Sequence, residues 1–140
     1  MRRQTVRRRI GDLSDGRNVT RTILIVDDDP GTVKVLGKIL RDVGDLRVAT
    51  NGHDALRLAR EVAPDLILLD AEMPDLTGFQ VCETLRADRE LADVPVIFVT
   101  SHGEAAFEVA GLGNGFIAKP FNAAVVLASV KRHLGSVELS

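Results

Sequence analysis

Tryptophan and tyrosine are absent from this 140-residue chain, and aromatic residues make up only 4% of it. The single cysteine, Cys82, excludes an internal disulfide and a zinc site built from cysteines. No apolar run approaches the roughly 20 residues that a membrane span needs, and no apolar signal segment follows the arginine-rich start. We therefore expect a cytoplasmic chain, and its length allows one domain of ordinary size.

Charge is unevenly distributed along the chain, although the net charge is only −2. Residues 1–21 hold seven arginines against two aspartates, whereas the rest of the chain has more acidic than basic residues. The first segment also lacks a sustained apolar period, so we expect a flexible basic extension over residues 1–21 and a folded domain over residues 22–140. Binding of nucleic acid or a membrane surface through the arginines is an alternative to a plain tail.

Short apolar runs alternate with amphipathic stretches from Thr22 onward. Residues 66–69, Leu-Ile-Leu-Leu, show no polar alternation, which indicates a strand covered on both faces of a parallel sheet. Strands separated by helices predict a doubly wound α/β fold, with helices on both faces of a five-stranded parallel sheet. The predicted strands are residues 23–26, 46–50, 66–69, 96–99 and 116–118, and the last helix is predicted at about 122–134.

Polar residues stand where the predicted strands end. They are Asp27 and Asp28 after the first strand, Asp70 after the third, Thr100 after the fourth and Lys119 after the fifth. Because parallel strands finish at one edge of the sheet, we expect these side chains to share one crevice. Three carboxylates there would repel one another unless a cation is present, and Mg²⁺ suits such oxygen ligands. A lysine and a hydroxyl beside the ion would complete a site for a phosphoryl group.

Four motifs together resemble the receiver domain of bacterial two-component response regulators, over about residues 22–135. The motifs are Ile-Val-Asp27-Asp28-Asp29, Asp70-Ala-Glu-Met73-Pro74 with Gly78 after it, Val-Thr100-Ser101, and Lys119-Pro120. The resemblance implies a flavodoxin-like sheet with strand order 2-1-3-4-5. It also implies a Mg²⁺-dependent phosphoprotein that signals by changing its partner-binding surface, and that is no enzyme beyond catalysing its own phosphorylation and dephosphorylation.

The resemblance implies a role for each polar residue of the crevice. Asp70 would accept a phosphoryl group from a phosphohistidine. Asp28, Asp70 and the backbone carbonyl of Glu72 would bind Mg²⁺, and Asp27 would assist through water. Lys119 would pair with the phosphoryl oxygens.

Signalling would depend on residues around that site. Thr100 would hydrogen-bond the acyl phosphate, and Phe116 would take the place of the family's aromatic switch residue, although packing in the core also explains a phenylalanine there. Glu72 and His102 would lie at the rim and influence the lifetime of the phosphate. Residues 101–118 form a segment shorter than is usual in the family and rich in glycine, which disfavours a regular fourth helix.

The resemblance also implies partners. The donor would be a sensor histidine kinase or a phosphotransfer protein, and the output would pass to a downstream protein or to a second copy of the chain. Neither a membrane nor nucleic acid is expected to bind the receiver itself. We favour a stand-alone regulator over a piece of a longer protein, although residues 78–88 resemble receivers fused to cyclic-di-GMP enzymes.

A haloacid-dehalogenase-like phosphohydrolase is the rival interpretation. Asp27-x-Asp29 after an apolar strand, a later threonine and a later lysine superficially match that enzyme pattern. Such an enzyme needs a further acidic pair after the lysine, and residues 120–124 contain none. The two interpretations differ in the nucleophile, which is Asp27 in the hydrolase and Asp70 in the receiver.

Overall fold

The computed structural model describes residues 20–101 and 111–134. These ranges contain five strands and four helices. Strands and helices alternate along the chain, except that the fourth and fifth strands follow each other in the described residues. The strands are β1 (Thr22–Val26), β2 (Asp45–Ala49), β3 (Leu66–Asp70), β4 (Val96–Thr100) and β5 (Gly115–Ala118). The helices are α1 (Pro30–Leu40), α2 (Gly52–Val62), α3 (Gly78–Ala87) and α4 (Ala123–Leu134).

All five strands are parallel and lie in the order β2-β1-β3-β4-β5, which confirms the expected topology. β3 is central, and its four apolar residues are buried, as their uninterrupted run predicts. Asp70, which ends the strand, is buried as well. Side chains alternate between the two faces along each strand, so Leu24 and Ile25 belong to different halves of the core. Each fully buried aliphatic side chain contributes on the order of 1.5–3 kcal/mol by leaving water.

Helices cover both faces of the sheet, as a doubly wound fold requires. On one face, α2 and α3 pack through a cluster that includes Ala55, Ala59, Val81, Cys82 and Leu85. On the other face, α1 and α4 pack through a second cluster, whose helical members include Leu36, Leu40, Val126 and Val130. The two clusters enclose the sheet, so polar groups can gather only at its edges.

Side chains cap the helices at their N-termini, where the first backbone N–H groups lack partners within the helix. Asp29 caps α1 and accepts a hydrogen bond from the Gly31 N–H, with Pro30 at the first helical position. Asn51 caps α2 and accepts from the Asp54 N–H. Thr77 and Gln80 form a reciprocal capping box on α3.

Several boundaries differ from the sequence prediction by one residue. β2 begins at Asp45 and ends at Ala49, and β5 begins at Gly115. α4 begins at Ala123 because Asn122 is its cap and accepts a hydrogen bond from the Val125 N–H at 2.9 Å. α1 ends at Leu40, and residues 41–43 form a turn.

Some predictions fall outside the described ranges. The basic extension over residues 1–21 is described only at Thr20 and Arg21, and the fourth-helix question concerns residues 102–110. Arg21 already contacts the domain, because its backbone carbonyl accepts from the Asp45 N–H at 2.7 Å. Among residues 20–101 and 111–134, no helix has the length and apolar character to cross a membrane.

Candidate functional site

Three aspartates meet at the edge of the sheet where the parallel strands end. Asp27 directly follows β1, and Asp70 is the last residue of β3, so adjacent strands place both side chains. Each has a carboxylate oxygen that lies, together with one from Asp28, in a group whose members are within 4.8 Å of one another. Asp27 and Asp70 are buried and Asp28 is exposed, which leaves the group open to solvent on one side.

Lys119 supplies the positive charge of the crevice. Its Nζ donates a hydrogen bond to Asp27 Oδ2 at 3.0 Å and lies 3.9 Å from Asp70 Oδ1. The lysine follows β5, and its backbone N–H donates to the carbonyl of Thr100 at 2.8 Å, which fixes it beside the end of β4. The carboxyl ends of β1, β3, β4 and β5 therefore converge at one edge of the sheet, as the sequence predicts.

The pKa of Asp70 is raised to about 6, first because the carboxyl is buried and second because Asp27 lies close to it. The backbone N–H of Glu72, which donates to Asp70 Oδ1 at 3.2 Å, and the nearby Lys119 ammonium act in the opposite direction. One lysine does not neutralise three carboxylates. A hard divalent cation with oxygen ligands would relieve the remaining repulsion, so the donor set fits Mg²⁺.

Asp29 stands apart from the three clustered carboxylates. Its carboxylate accepts from the Gly31 N–H and from the Thr32 hydroxyl, and these bonds lower its pKa. Its own backbone N–H donates to Asp27 Oδ1 at 2.9 Å, which orients that carboxylate. Because Asp29 is engaged in capping α1, the geometry gives it no part in an Asp27-x-Asp29 hydrolase centre.

The remaining predicted site residues that the structure describes differ in how deeply they are buried. Thr100 is buried at the end of β4, and Glu72 is exposed in the loop after Asp70. Phe116 is half-buried and packs on the α2–α3 side of the sheet, beside Phe98 on the neighbouring strand. His102 lies outside the described residues.

Two residues that follow β3 in the chain, Gly78 at the start of α3 and Asp75 in the loop before it, matter more than their sequence suggests. A Cβ at Gly78 would collide with the carbonyl oxygen of Asp70, so the backbone requires glycine at this position. Asp75 was not singled out, yet its carboxylate accepts hydrogen bonds from two backbone N–H groups at the start of α2. A proline followed by aspartate in a loop signals a turn, and nothing local indicates a partner more than 20 residues away.

The comparison with protein families identifies the class of protein. The family model described as the response regulator receiver domain matches residues 23–131. The chain therefore belongs to the response regulator receiver domain family, and the phosphohydrolase interpretation is not favoured.

Individual relatives agree with this assignment. The chain is 39% identical over 116 residues to the DNA-binding response regulator MtrA of Mycolicibacterium smegmatis, covering 80% of this chain and 50% of MtrA. It is 37% identical over 113 residues to the DNA-binding dual master transcriptional regulator RpaA of Synechocystis, covering 78% and 47% of the two chains. The chain thus spans about half the length of these curated relatives.

A solved structure gives the same result for the fold. The receiver domain of the sensor histidine kinase PA1611 from Pseudomonas aeruginosa superimposes with a TM-score of 0.78 and 29% identity. The match covers 84% of this chain and 99% of that domain, which was crystallised with a magnesium ion in its active-site cleft.

Proposed function

We propose that Asp70 accepts a phosphoryl group from a phosphohistidine on a sensor histidine kinase or a phosphotransfer protein. A carboxylate oxygen of Asp70 attacks phosphorus, the bond from phosphorus to the imidazole nitrogen breaks, and its electron pair stays on the leaving imidazole. The observation that carries the proposal is the position of Asp70, buried at the strand edge among Asp27, Asp28 and Lys119. Transfer of this kind depends mainly on position and electrostatics.

Asp27, Asp28, Asp70 and the backbone carbonyl of Glu72 are the groups that we propose for holding Mg²⁺. When bound, the ion neutralises charge that builds up on the oxygens of the transferred group. The exposed side of Asp28 leaves room for the donor to reach the cluster. The chain would then be no enzyme in the usual sense and would catalyse only its own phosphorylation and dephosphorylation.

Lys119 holds Asp27 in the free protein and is the natural partner for a new phosphoryl oxygen. Its Nζ lies 3.9 Å from Asp70 Oδ1, so it can reach a group attached to that carboxylate without crossing the crevice. Charge-assisted hydrogen bonds of this type contribute about twice as much as neutral ones. Phosphorylation would therefore draw Lys119 from an aspartate to the acyl phosphate.

Thr100 and Phe116 are our candidates for the switch that follows. Thr100 ends β4 beside Asp70 in the sheet order, where its hydroxyl could donate to the acyl phosphate. Phe116 is half-buried against the α2–α3 side of the core, so a shift of Thr100 could change how far the ring is buried. The output would reach a downstream protein or a second copy of this chain, in the cytoplasm where the kinase's phosphohistidine is formed.

Acetyl phosphate and Mg²⁺ provide a direct test of the nucleophile. The parent protein, Asp70→Asn and Asp27→Asn are incubated with both, and intact mass shows whether one phosphoryl group has been added. We expect labelling of the parent, none of Asp70→Asn, and slower labelling of Asp27→Asn. Labelling that persists in Asp70→Asn and disappears in Asp27→Asn would instead support the hydrolase-type nucleophile.

A further inference from the structure

Asp75 connects the loop after the phosphoryl-accepting strand to a helix that begins far away in sequence. Its Oδ1 accepts a hydrogen bond from the Gly52 N–H at 2.8 Å, and its Oδ2 accepts from the His53 N–H at 2.9 Å. The His53 ring adds a third contact, with Nδ1 2.7 Å from Oδ2. The pKa of Asp75 is lowered, first by the Gly52 N–H and then by the His53 N–H, so the carboxylate stays ionised.

These bonds complete the N-terminus of α2. Its own cap, Asn51, accepts only from the Asp54 N–H through its side chain, while the Asn51 carbonyl accepts from the Ala55 N–H. The first two N–H groups of the helix would otherwise lack a protein partner, and Asp75 takes both. The helix start and the loop therefore stabilise each other.

Leu76 strengthens the same connection by packing on Gly52. A Cβ added at Gly52 would lie 2.6 Å from the Cβ of Leu76, so the loop approaches the helix as closely as only glycine permits. Gly52 is buried, which shows that the loop covers the helix start. The contact thus has both a polar and an apolar part.

The connection reaches the acidic cluster from both of its ends. On one side, the loop runs back from Asp75 to Glu72, whose N–H donates to Asp70 Oδ1 at 3.2 Å. On the other side, α2 follows β2, and the Ala49 carbonyl at the end of β2 accepts from the Asp27 N–H at 3.1 Å. Asp75 therefore closes a ring of contacts that includes the Asp70 carboxylate and the backbone of Asp27.

We propose that Asp75 is a positioning residue for phosphoryl transfer, because its carboxylate fastens residues 71–77 to the start of α2 and so holds Asp70 and the Glu72 carbonyl in place. The inference rests on the proposed function of Asp70. Asp75 itself contacts neither metal nor phosphoryl group in this scheme. Its effect is transmitted through the loop backbone.

The test compares the parent with Asp75→Ala and Asp75→Asn. Initial rates of labelling by acetyl phosphate are measured at a series of Mg²⁺ concentrations, and Mg²⁺ binding is followed by calorimetry, because the chain has no tryptophan to report it. For Asp75→Ala we expect about a tenfold loss in Mg²⁺ affinity or in maximal rate, the lower end of what residues behind a metal's ligands contribute. Asp75→Asn keeps one acceptor oxygen, so we expect partial rescue.

Hydrogen exchange shows whether the intended bonds were lost. The amides of Gly52 and His53 should exchange faster in Asp75→Ala, while the buried amides of β3 should keep their protection. A second variant, Gly52→Ala, disturbs the contact from the helix side without touching the carboxylate. Alanine is the better helix former, so slower labelling of Gly52→Ala would have to come from displacement of Leu76.

Asp65→Ala is the matched control. Asp65 also accepts a hydrogen bond from a distant backbone N–H, that of Thr22 at 2.8 Å, but it lies at the opposite edge of the sheet, before β3. Its removal should change stability and leave Mg²⁺ affinity and labelling rate at the parent's values. If Asp75→Ala and Gly52→Ala both match the parent in affinity and rate, although the amides of Gly52 and His53 exchange faster in Asp75→Ala, the inference is wrong. A parent that takes no label at all would refute the proposed function instead.

Discussion

Lys119 Nζ donates a 3.0 Å hydrogen bond to Asp27 Oδ2, although 92 residues separate the two in the chain. The sheet order brings them together, since β1 and β5 flank the pair β3 and β4 and all four strands end at the same edge. The lysine thereby partly neutralises the two buried carboxylates of the cluster, Asp27 and Asp70, whose burial alone would be costly.

Replacing Lys119 with methionine tests the role of that charge. We expect Lys119→Met to slow labelling by acetyl phosphate about a hundredfold, the typical loss when one charge-stabilising donor is removed from an active site. Mg²⁺ affinity should not fall, because Asp27 loses a competing cation. Lys131→Met, an exposed lysine in the last turn of α4, is the control and should label at the parent's rate. Equal rates for Lys119→Met and the parent would contradict this role.

The raised pKa of Asp70 makes stability depend on pH in a defined direction. Its pKa is about 6 in the folded protein against an ordinary value of 3.8, so the folded state binds more protons between those limits. Stability from this group is present at low pH and is lost as pH rises through about 6. Asp70→Asn should therefore be more stable than the parent at neutral pH by about 1–3 kcal/mol, with the difference vanishing below the ordinary pKa.

Urea unfolding followed by circular dichroism, in the presence of a chelator, measures this difference at several pH values. Asp42→Asn changes an exposed carboxyl in the turn after α1 and serves as the control, in which the gain expected for Asp70→Asn should be absent. A stability gain in Asp70→Asn that stays constant from acid to neutral pH would show that the carboxyl is not the cause.

Gly78 tests how tightly α3 approaches the phosphoryl-accepting strand. Gly78→Ala would place a methyl group against the Asp70 carbonyl oxygen, and we expect a loss of about 1–3 kcal/mol in the free energy of unfolding. Gly37→Ala, in the interior of α1 with open space around it, should instead gain about 0.5–1 kcal/mol. The two glycine-to-alanine substitutions are thus expected to change the free energy of unfolding in opposite directions, and thermal or urea unfolding measures both changes.

The Arg86 side chain connects α3 to the segment before β4 and to the segment before β5. Its guanidinium donates to the backbone carbonyls of Leu112, Ala92 and Val94 and to Asn114 Oδ1, over distances of 2.8–3.2 Å. Arg86→Ala leaves these acceptors without the guanidinium, and we expect it to destabilise the protein by about 2–4 kcal/mol. Arg86→Lys should recover little, because an ammonium cannot reproduce the fork of donors. A loss below about 0.5 kcal/mol for Arg86→Ala, the range of ordinary surface substitutions, would contradict this prediction.

Much of the fold follows from local patterns in the sequence. The unbroken apolar run of β3 predicts a strand with two buried faces, and Asp29, Asn51 and Pro30 mark helix starts by chemistry that acts within a few residues. The convergence of Asp27, Asp70 and Lys119 also follows, because parallel strands share an edge. Boundaries shift by a residue where the capping side chain takes the position that a periodic pattern assigns to the helix, as at Asn122.

Contacts between distant loops could not be predicted in this way. The local sequence around Asp75 predicts only a turn, and the residue reaches the start of α2 only in the folded chain. The hydrogen bonds from Arg86 to three separate backbone carbonyls likewise depend on the packing of α3 against two loops. Such residues carry no periodic or motif signal, since their partners are set by tertiary structure.

The position of the label on the chain tests the central claim most directly. The parent is treated with acetyl phosphate, with Mg²⁺ in one sample and with a chelator in the other, and the acyl phosphate is trapped by borohydride reduction before peptide mapping. We predict a single modified residue, Asp70, in the sample with Mg²⁺ and little or none in the chelated sample. A label at Asp27, or equal labelling of Asp70 without any divalent cation, would contradict the account.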